Sequence, residues 1–312
     1  MKKFSLLSIL LAVALVCSAQ KPVAAVSIVN APESVELRLN LPKDKTFEQN
    51  TEMKMKMKMD IMGMKIDTEV PFSSKISYKV VDIQNGNFVL ECAFEKMKMS
   101  MDILGQKMSF DSSDKNQDFE KNPMAKTFSA FIGKKFIMIL DKFQNVVAVE
   151  GFDRLFDSMF GDNDEQSAQM AAMLQGMLGE DKIKENFSSS NIIFPKEPVN
   201  EGFTWETEMS QNLQGMNMQV KNQFKVEKIT AKHVEISSVS YYSMDFSMSE
   251  GEQNVNIKMQ DAKATGTYVI DLHTGWTISA KTNADMNMVM TTNQGGMEME
   301  IPMQLIMKII VN

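Results

Sequence analysis

The stretch FEQNTEMKMKMKMD, residues 47–60, decides the fold class of this chain. Methionine occupies every odd position from Met53 to Met59, and lysine occupies the even positions between them. A β-strand points alternate side chains to opposite faces of its sheet, so this pattern gives one apolar face and one charged face. Such one-sided alternation is typical of antiparallel sheets that keep one face in water.

The same two-residue period recurs along most of the chain. Further alternating runs occupy residues 62–80, 203–209, 216–226, 234–248, 276–290 and 297–311. We therefore predict a mainly β protein with minor α content. Its two divergent β-rich halves would form a long curved antiparallel sheet or half-barrel.

Two local features predict irregularities in this sheet. Apolar positions are even up to Phe94 and odd from Met97, so a one-residue bulge near Glu95 and Lys96 would keep both sets on one face. Pro71 has no backbone N–H to donate, and it therefore predicts an edge position or a second bulge.

The hydrophobic period changes between the two halves. Apolar residues there are spaced by three and four, which is typical of helices, and we expect central helices to pack on the concave face of the sheet. The predicted divisions are a signal peptide (1–19), an N-terminal β-rich half (20–150), a helical connector (151–190) and a C-terminal β-rich half (191–312).

Short similarities between the halves indicate an internal repeat. The similar segments are Leu41-Pro42-Lys43 and Phe194-Pro195-Lys196, Tyr78-Lys79-Val80 and Phe224-Lys225-Val226, and the polar turns 141–145 and 271–275. Within these turns, Asn145 and Gly275 are the residue types that tolerate a left-handed backbone.

The first residues have the features of a cleaved export signal. Two lysines precede an apolar run at 4–16, which is shorter than the roughly 20 residues of a spanning helix. We expect cleavage after Ala19, giving a soluble periplasmic or extracellular protein. Lipid attachment at Cys17 is not expected, because Val16 is a poor fit before an acylated cysteine. Cleavage would leave Cys92 as a single thiol, with no internal disulfide.

Charge and composition exclude several classes of partner. The formal net charge is −7, and loss of Lys2 and Lys3 with the signal would make it −9. An acidic chain without basic clusters is a poor nucleic-acid binder. We also expect no integral membrane protein, because 4 Tyr and 2 Trp are too few for the aromatic girdles of an outer-membrane barrel.

Methionine is the unusual component, with 30 residues against 2 histidines. Three interpretations remain open: methionine as core filler, as the lining of an adaptable apolar cavity, or as thioether ligands for Cu(I). For the cavity interpretation, the candidate ligand-binding residues are Met55, Met57 and Met288 on strands and Met170, Met173 and Met177 on the connector. We expect no cofactor and no metal site.

No catalytic pattern is recognisable in the sequence. His233 is predicted on the polar face of a strand and His273 in a turn, so the two histidines are not expected to share a site. Cys92 shares an apolar face with Leu90 and Phe94, which favours a buried thiol. The chain has no nucleophile elbow, phosphate loop, zinc-protease helix or dinucleotide fingerprint. We therefore expect a protein that is not an enzyme.

The segment Pro198-Val199 followed by Gly202-Phe203-Thr204-Trp205, together with the Asp271 to Gly275 turn, resembles a family of exported β-rich bacterial proteins of unknown function. That resemblance implies a fold but brings no catalytic residues. The architecture is also loosely similar to the half-barrels of periplasmic lipoprotein carriers and of mycobacterial lipid-binding lipoproteins. The favoured hypothesis is a carrier of a lipid-like or other apolar ligand. The alternatives are a structural or interaction protein of the envelope, with a protein partner and no ligand, and a Cu(I) binder.

Overall fold

The computed structural model describes residues 33–103, 106–116, 125, 128–152, 180, 184, 187, 192–213, 216–250, 253–294 and 297–312. Within these ranges the chain forms twelve strands of one antiparallel sheet. The strands are β1 (Thr46–Ile61), β2 (Met64–Gln84), β3 (Asn87–Ile103), β4 (Gln106–Asp111), β5 (Lys135–Leu140), β6 (Val146–Glu150), β7 (Thr204–Leu213), β8 (Met216–Ile229), β9 (His233–Glu250), β10 (Gln253–Asp271), β11 (Thr277–Gln294) and β12 (Met297–Val311).

The strand order shows how the two halves meet. It is β6-β5-β3-β2-β1-β12-β11-β10-β9-β8-β7, with β4 also paired to β3. β1 and β12 pair from Thr51↔Val311 to Met59↔Met303, so the halves share one continuous sheet. The sheet is unclosed, because β6 and β7 end the path without pairing to each other in the described part of the chain. The predicted mainly β, antiparallel class is confirmed.

The hairpin connections lie at two opposite ends of the sheet. β2–β3, β5–β6, β8–β9 and β10–β11 connect at one end, and the other five hairpins connect at the opposite end, called here the distal end. Residues 33–41 cross the first end, where the Leu39 N–H donates to the Lys142 carbonyl (2.8 Å) and the Asn40 N–H donates to the Thr274 carbonyl (2.8 Å). The Arg38 guanidinium donates to the Pro195 carbonyl (2.8 Å) and lies 4.4 Å from the Phe143 ring centroid. We call this the closed end.

Burial follows the sequence period. In β1 the odd positions from Phe47 to Met59 are buried, whereas the even positions up to Lys58 are exposed. In β12 the odd positions from Ile301 to Val311 are buried in the same way. The apolar residues among them belong to one main hydrophobic cluster, and a second cluster around Leu37, Val226 and Ile236 lies towards the closed end. The face that carries the main cluster is called the inner face.

Both predicted irregularities of the sheet are confirmed. Lys75 pairs with Lys96 and Ile76 pairs with Phe94, so Glu95 is the extra residue of a bulge. The β2–β3 pairing reaches Phe72↔Met99 and does not include Pro71. Distal to that point β2 pairs only with β1, so Pro71 faces an unpaired edge, which suits a residue without an N–H.

The turns that lead into β1 and β7 have the same hydrogen bonds. Asp44 donates its N–H to the Val80 carbonyl (2.8 Å), and Gly202 donates its N–H to the Val226 carbonyl (2.8 Å). Both turn residues have positive φ, 64° and 86°. This match supports a repeat in which Val80 corresponds to Val226. In this alignment of the two halves, Pro42 corresponds to Asn200, because their carbonyls accept the matching N–H groups of Lys45 and Phe203. The predicted equivalence of Pro42 and Pro195 is therefore wrong.

The left-handed residue of the β5–β6 turn also differs from the prediction. It is Gln144 (φ 69°), whereas the sequence predicted Asn145. The Asn145 side chain instead donates to the Asp141 carboxylate (2.8 Å), which also accepts the Asn145 backbone N–H (2.9 Å). These two bonds hold Asn145 in the turn, and the preceding residue, Gln144, adopts the left-handed conformation.

The described residues do not support central helices packed on the concave face. Most of the predicted connector, including residues 153–179, lies outside the described ranges, and so does the predicted signal peptide. Phe152 and Phe187, at the two ends of this segment, are buried in the main cluster.

Gly275 provides a test of the closed end. A Cβ at this position would lie 2.1 Å from the Arg38 carbonyl oxygen, and Gly275 has φ +69°. We expect Gly275→Ala to lower the free energy of unfolding by roughly 2 kcal/mol more than Gly86→Ala, because the backbone of 33–41 must move. Gly86 has φ +82° and open space around it, so it carries only the conformational strain. Equal losses in urea denaturation would contradict the close crossing of residues 33–41.

Candidate ligand-binding face

Methionines from four adjacent strands form a row across the inner face. Met59 on β1 pairs with Met303 on β12, which pairs with Met288 on β11, which in turn pairs with Met259 on β10. Directly opposed side chains in antiparallel strands lie about 5 Å apart at Cβ. The row is therefore a continuous surface of flexible, polarizable thioethers that can adapt to a neighbouring shape.

The sheet brings three of the predicted site residues to the same face. Met55, Met57 and Met288 are all buried in the main cluster. Met57 pairs with Leu305, two residues along β12 from the partner of Met288, so the two methionines occupy neighbouring rows. The other three predicted residues, Met170, Met173 and Met177, lie outside the described residues.

Small residues occupy the inner face of β10 and β11, and the sequence analysis missed them. Ala262, Ala264 and Gly266 alternate along β10, and Ala264 pairs with Ala284 on β11. In the sequence, small side chains alternate with larger polar ones in AKATG at 262–266. This alternation is inconspicuous because alanine and glycine are only weakly hydrophobic. Neighbouring side chains pack closely over them: a Cβ on Gly266 would lie 2.6 Å from Ser238 Oγ and 2.9 Å from the Tyr268 ring.

Exposure of the inner face changes from one end of the sheet to the other. At the closed end, Val80, Leu90, Val226 and Ile270 are completely buried. At the distal end, a set of half-buried apolar side chains is packed against the main cluster, and we call this set the distal rim. It consists of Ile61, Ile66, Met108, Phe246, Val255, Met259 and Met290. In the described part of the chain, the inner face is therefore completely buried at the closed end, whereas at the distal end half-buried rim residues alternate with buried ones such as Ile257 and Ile301.

The buried polar groups of the inner face are uncharged. Among the described residues, the buried polar side chains are serine, threonine, asparagine and glutamine, with Gln49, Ser74 and Asn222 as examples. Two further buried atoms, Nε1 of Trp276 and Oγ1 of Thr282, have no hydrogen-bond partner among the described residues. An ionised ligand group buried here would meet no opposite charge from the buried side chains that the structure describes, so the face suits an apolar or neutral molecule.

The outer face has different chemistry. Lys56 Nζ lies 2.9 Å from Glu69 Oε2, and the Lys56 ammonium lowers the pKa of the Glu69 carboxyl. A groove of about 570 Å³ is lined by both polar and apolar residues, and its polar residues, among them Lys58, Asp67 and Asp261, belong to this face. Met59, Met288 and Met303 of the methionine row also contribute to its lining, so this groove runs behind the distal part of that row.

The described part of the chain has neither an accessible free thiol nor a cluster of metal ligands. Cys92 is fully buried, its thiol donates to the Leu90 carbonyl (3.7 Å), and burial raises its pKa well above the usual range. The thiol is therefore protonated and inaccessible at neutral pH. Within the same ranges, no group of three or more His, Cys, Asp or Glu side chains is placed to hold a metal ion. In those ranges there is also no helix long and apolar enough to cross a membrane.

Comparison with sequence families supports the resemblance noted above. DUF6263, a family of unknown function, matches residues 85–277, which cover more than half of the chain and span both halves of the sheet. The chain belongs to the DUF6263 family. As the sequence resemblance implied, membership of DUF6263 assigns no activity and no site residues. A comparison with curated proteins gave no significant match.

Solved structures show only distant likeness to this DUF6263 member. A structure of lipid–protein interactions in lipovitellin matches at 8% identity and a TM-score of 0.44, covering 88% of this chain and 25% of that one. The chain thus spans about a quarter of lipovitellin. An outer membrane channel from Pseudomonas putida F1 (6% identity, coverage 88% and 97%) and Salmonella typhi OmpF (7% identity, coverage 85% and 98%) each have a TM-score of 0.22. These scores are too low for functional inference.

The assignment of faces predicts opposite outcomes for two adjacent positions. Met55 is 1% exposed on the inner face, and Lys54 is exposed on the outer face. We expect Met55→Asp to lower the free energy of unfolding by roughly 3–5 kcal/mol, because it buries an unpaired carboxylate. Lys54→Asp should remain within about 0.5 kcal/mol of the wild type. Equal thermal melting temperatures for the two variants would show that the inner face is assigned wrongly.

Proposed function

We propose that this protein is an exported, non-catalytic carrier that holds a lipid-like or other apolar ligand against its inner face. The observation that carries the proposal is the gradient along that face. The face is uncharged, completely buried at the closed end and half-buried at the distal rim. A ligand that enters between the rim residues meets an apolar surface with a closed far end.

The dimensions and residue types of the inner face suit an extended hydrocarbon. The methionines from Met53 to Met59 alternate along β1 over roughly 20 Å, at about 3.3 Å per residue. An acyl chain needs apolar contacts along its length and no hydrogen-bond partners. Methionine side chains rearrange at low cost, because they are unbranched and flexible, so this lining accommodates chains of different lengths.

Export is part of the proposal and is supported by the N-terminal sequence. Lys2 and Lys3, the apolar run at 4–16 and the small residues before Gln20 fit a signal that is removed after Ala19. A carrier of water-insoluble molecules serves an aqueous compartment that such molecules must cross. The N-terminal sequence and the apolar inner face are thus compatible with one role.

One observation favours the alternative of a structural envelope protein without a ligand. Met53 and Met55, at the centre of the inner face, are each only 1% exposed. A face whose centre is filled by its own side chains needs no ligand to be stable. In the carrier, the ligand must therefore displace some of these flexible methionine side chains.

A pair of neighbouring substitutions on β11 tests the carrier proposal. Met290 is a half-buried residue of the distal rim, and Val289 is half-buried on the outer face. We expect Met290→Glu to weaken binding of the fluorescent probe N-phenyl-1-naphthylamine by about tenfold, because a carboxylate at the entrance must be desolvated. Val289→Glu introduces the same group on the other face and should leave probe affinity unchanged.

The same titration also distinguishes the structural alternative. Saturable binding by the wild type that is weakened only in Met290→Glu supports the carrier. Absence of saturable binding by the wild type would favour the structural protein. Equal weakening in both variants would show that the probe does not enter at the distal rim.

A further inference from the structure

Two hairpin turns of β2 have the same backbone conformation but different residues. At the closed end, Asn85 (φ 51°) and Gly86 (φ 82°) connect β2 to β3. At the distal end, Met62 (φ 54°) and Gly63 (φ 86°) connect β1 to β2. Two consecutive positive φ values define the type I′ turn, in which Asn-Gly is strongly preferred. The chain uses the preferred pair at one end and places a methionine in the strained position at the other.

Met62 is also the most exposed of the large apolar residues that the structure describes. It is 85% exposed, and Met64 on the other side of the turn is 58% exposed. The Asp60 carboxylate accepts the Gly63 N–H (2.8 Å) and holds the turn in this conformation. Packing within the protein therefore does not explain Met62. The left-handed backbone of Met62 costs free energy, and its exposed apolar side chain is also unfavourable unless something apolar covers the tip.

The tip of the β1–β2 hairpin, formed by Met62, Gly63 and Met64, lies next to the distal rim. Ile61 and Ile66 of the same hairpin are half-buried rim residues, one residue before Met62 and two residues after Met64. A surface that covers Met62 and Met64 therefore lies directly against the entrance to the inner face.

We propose that Met62 and Met64 insert into a lipid bilayer surface and dock the distal rim against it. The purpose of this contact, transfer of an apolar ligand, rests on the proposed function. The contact itself needs no ligand, so it is measured separately from ligand binding.

The chemistry of the tip favours lipid over a protein partner. Two side chains offer far less than the roughly 1,000 Å² that a specific protein interface buries, whereas shallow insertion of a few apolar groups gives weak, reversible membrane binding. The charges beside the tip balance, with Lys58 and Lys65 against Asp60 and Asp67. The whole chain is acidic, at −7. Binding should therefore be apolar, insensitive to salt, and no stronger on anionic than on neutral lipid.

Co-sedimentation with phosphatidylcholine vesicles tests the proposal without any ligand. The variant Met62→Asn, Met64→Ser restores the preferred Asn-Gly turn, so its melting temperature should be unchanged or raised. Its vesicle affinity should fall by about tenfold, because two apolar side chains no longer leave water. Ile83→Asn is the matched control, since Ile83 is 44% exposed on the same strand at the closed end. It should bind vesicles like the wild type.

Several results would overturn the lipid contact. They are absence of vesicle binding by the wild type, equal binding by the tip variant, and an equal loss in Ile83→Asn. A photo-crosslinker at position 62 that captures an envelope protein, with no vesicle binding, would replace lipid by a protein partner. Loss of probe binding with intact vesicle binding would contradict the proposed function and leave the membrane contact standing.

Discussion

The antiparallel pairing of β1 with β12 is the interaction on which the rest of the structure depends. Nine residue pairs join the strands, and Asn50 and Asn312 exchange backbone hydrogen bonds of 2.8 Å at the end of the ladder. This pairing merges two β-rich halves into one sheet with a shared inner face. It also continues the methionine row across the centre, because Met59 and Met303 face each other. Without it, each half would expose an apolar sheet edge to water.

Local features of the fold were predictable from sequence because a β-strand has a local period. The change of parity between Phe94 and Met97 locates the bulge at Glu95, and the missing N–H of Pro71 locates the edge. The pairing of β1 with β12 leaves no such signal, because its residues are far apart in sequence. The turn at 141–145 shows a second limit. The sequence favoured Asn145 as the left-handed residue, but Asn145 is held by hydrogen bonds to Asp141 and Gln144 has the positive φ instead.

The candidate site was predictable only in part, for related reasons. Parity alone places Met55, Met57 and Met288 on one face, since each belongs to a clean alternating run. The distal rim was not predictable, because its exposure depends on which hairpins connect at the same end of the sheet. The crossing of residues 33–41, which seals the opposite end, depends on contacts with turns more than a hundred residues away. The small residues of β10 were likewise not predictable from composition, because alanine and glycine are not unusually frequent in this chain, whereas methionine is.

The central claim is that the uncharged inner face of this sheet holds an apolar molecule. Native mass spectrometry of the protein purified from its own cell envelope tests it most directly. The account predicts a fraction with the added mass of a lipid-like molecule that organic solvent extracts and that Met290→Glu reduces. The bare polypeptide mass in every preparation, or an added mass of copper alone, would contradict the claim.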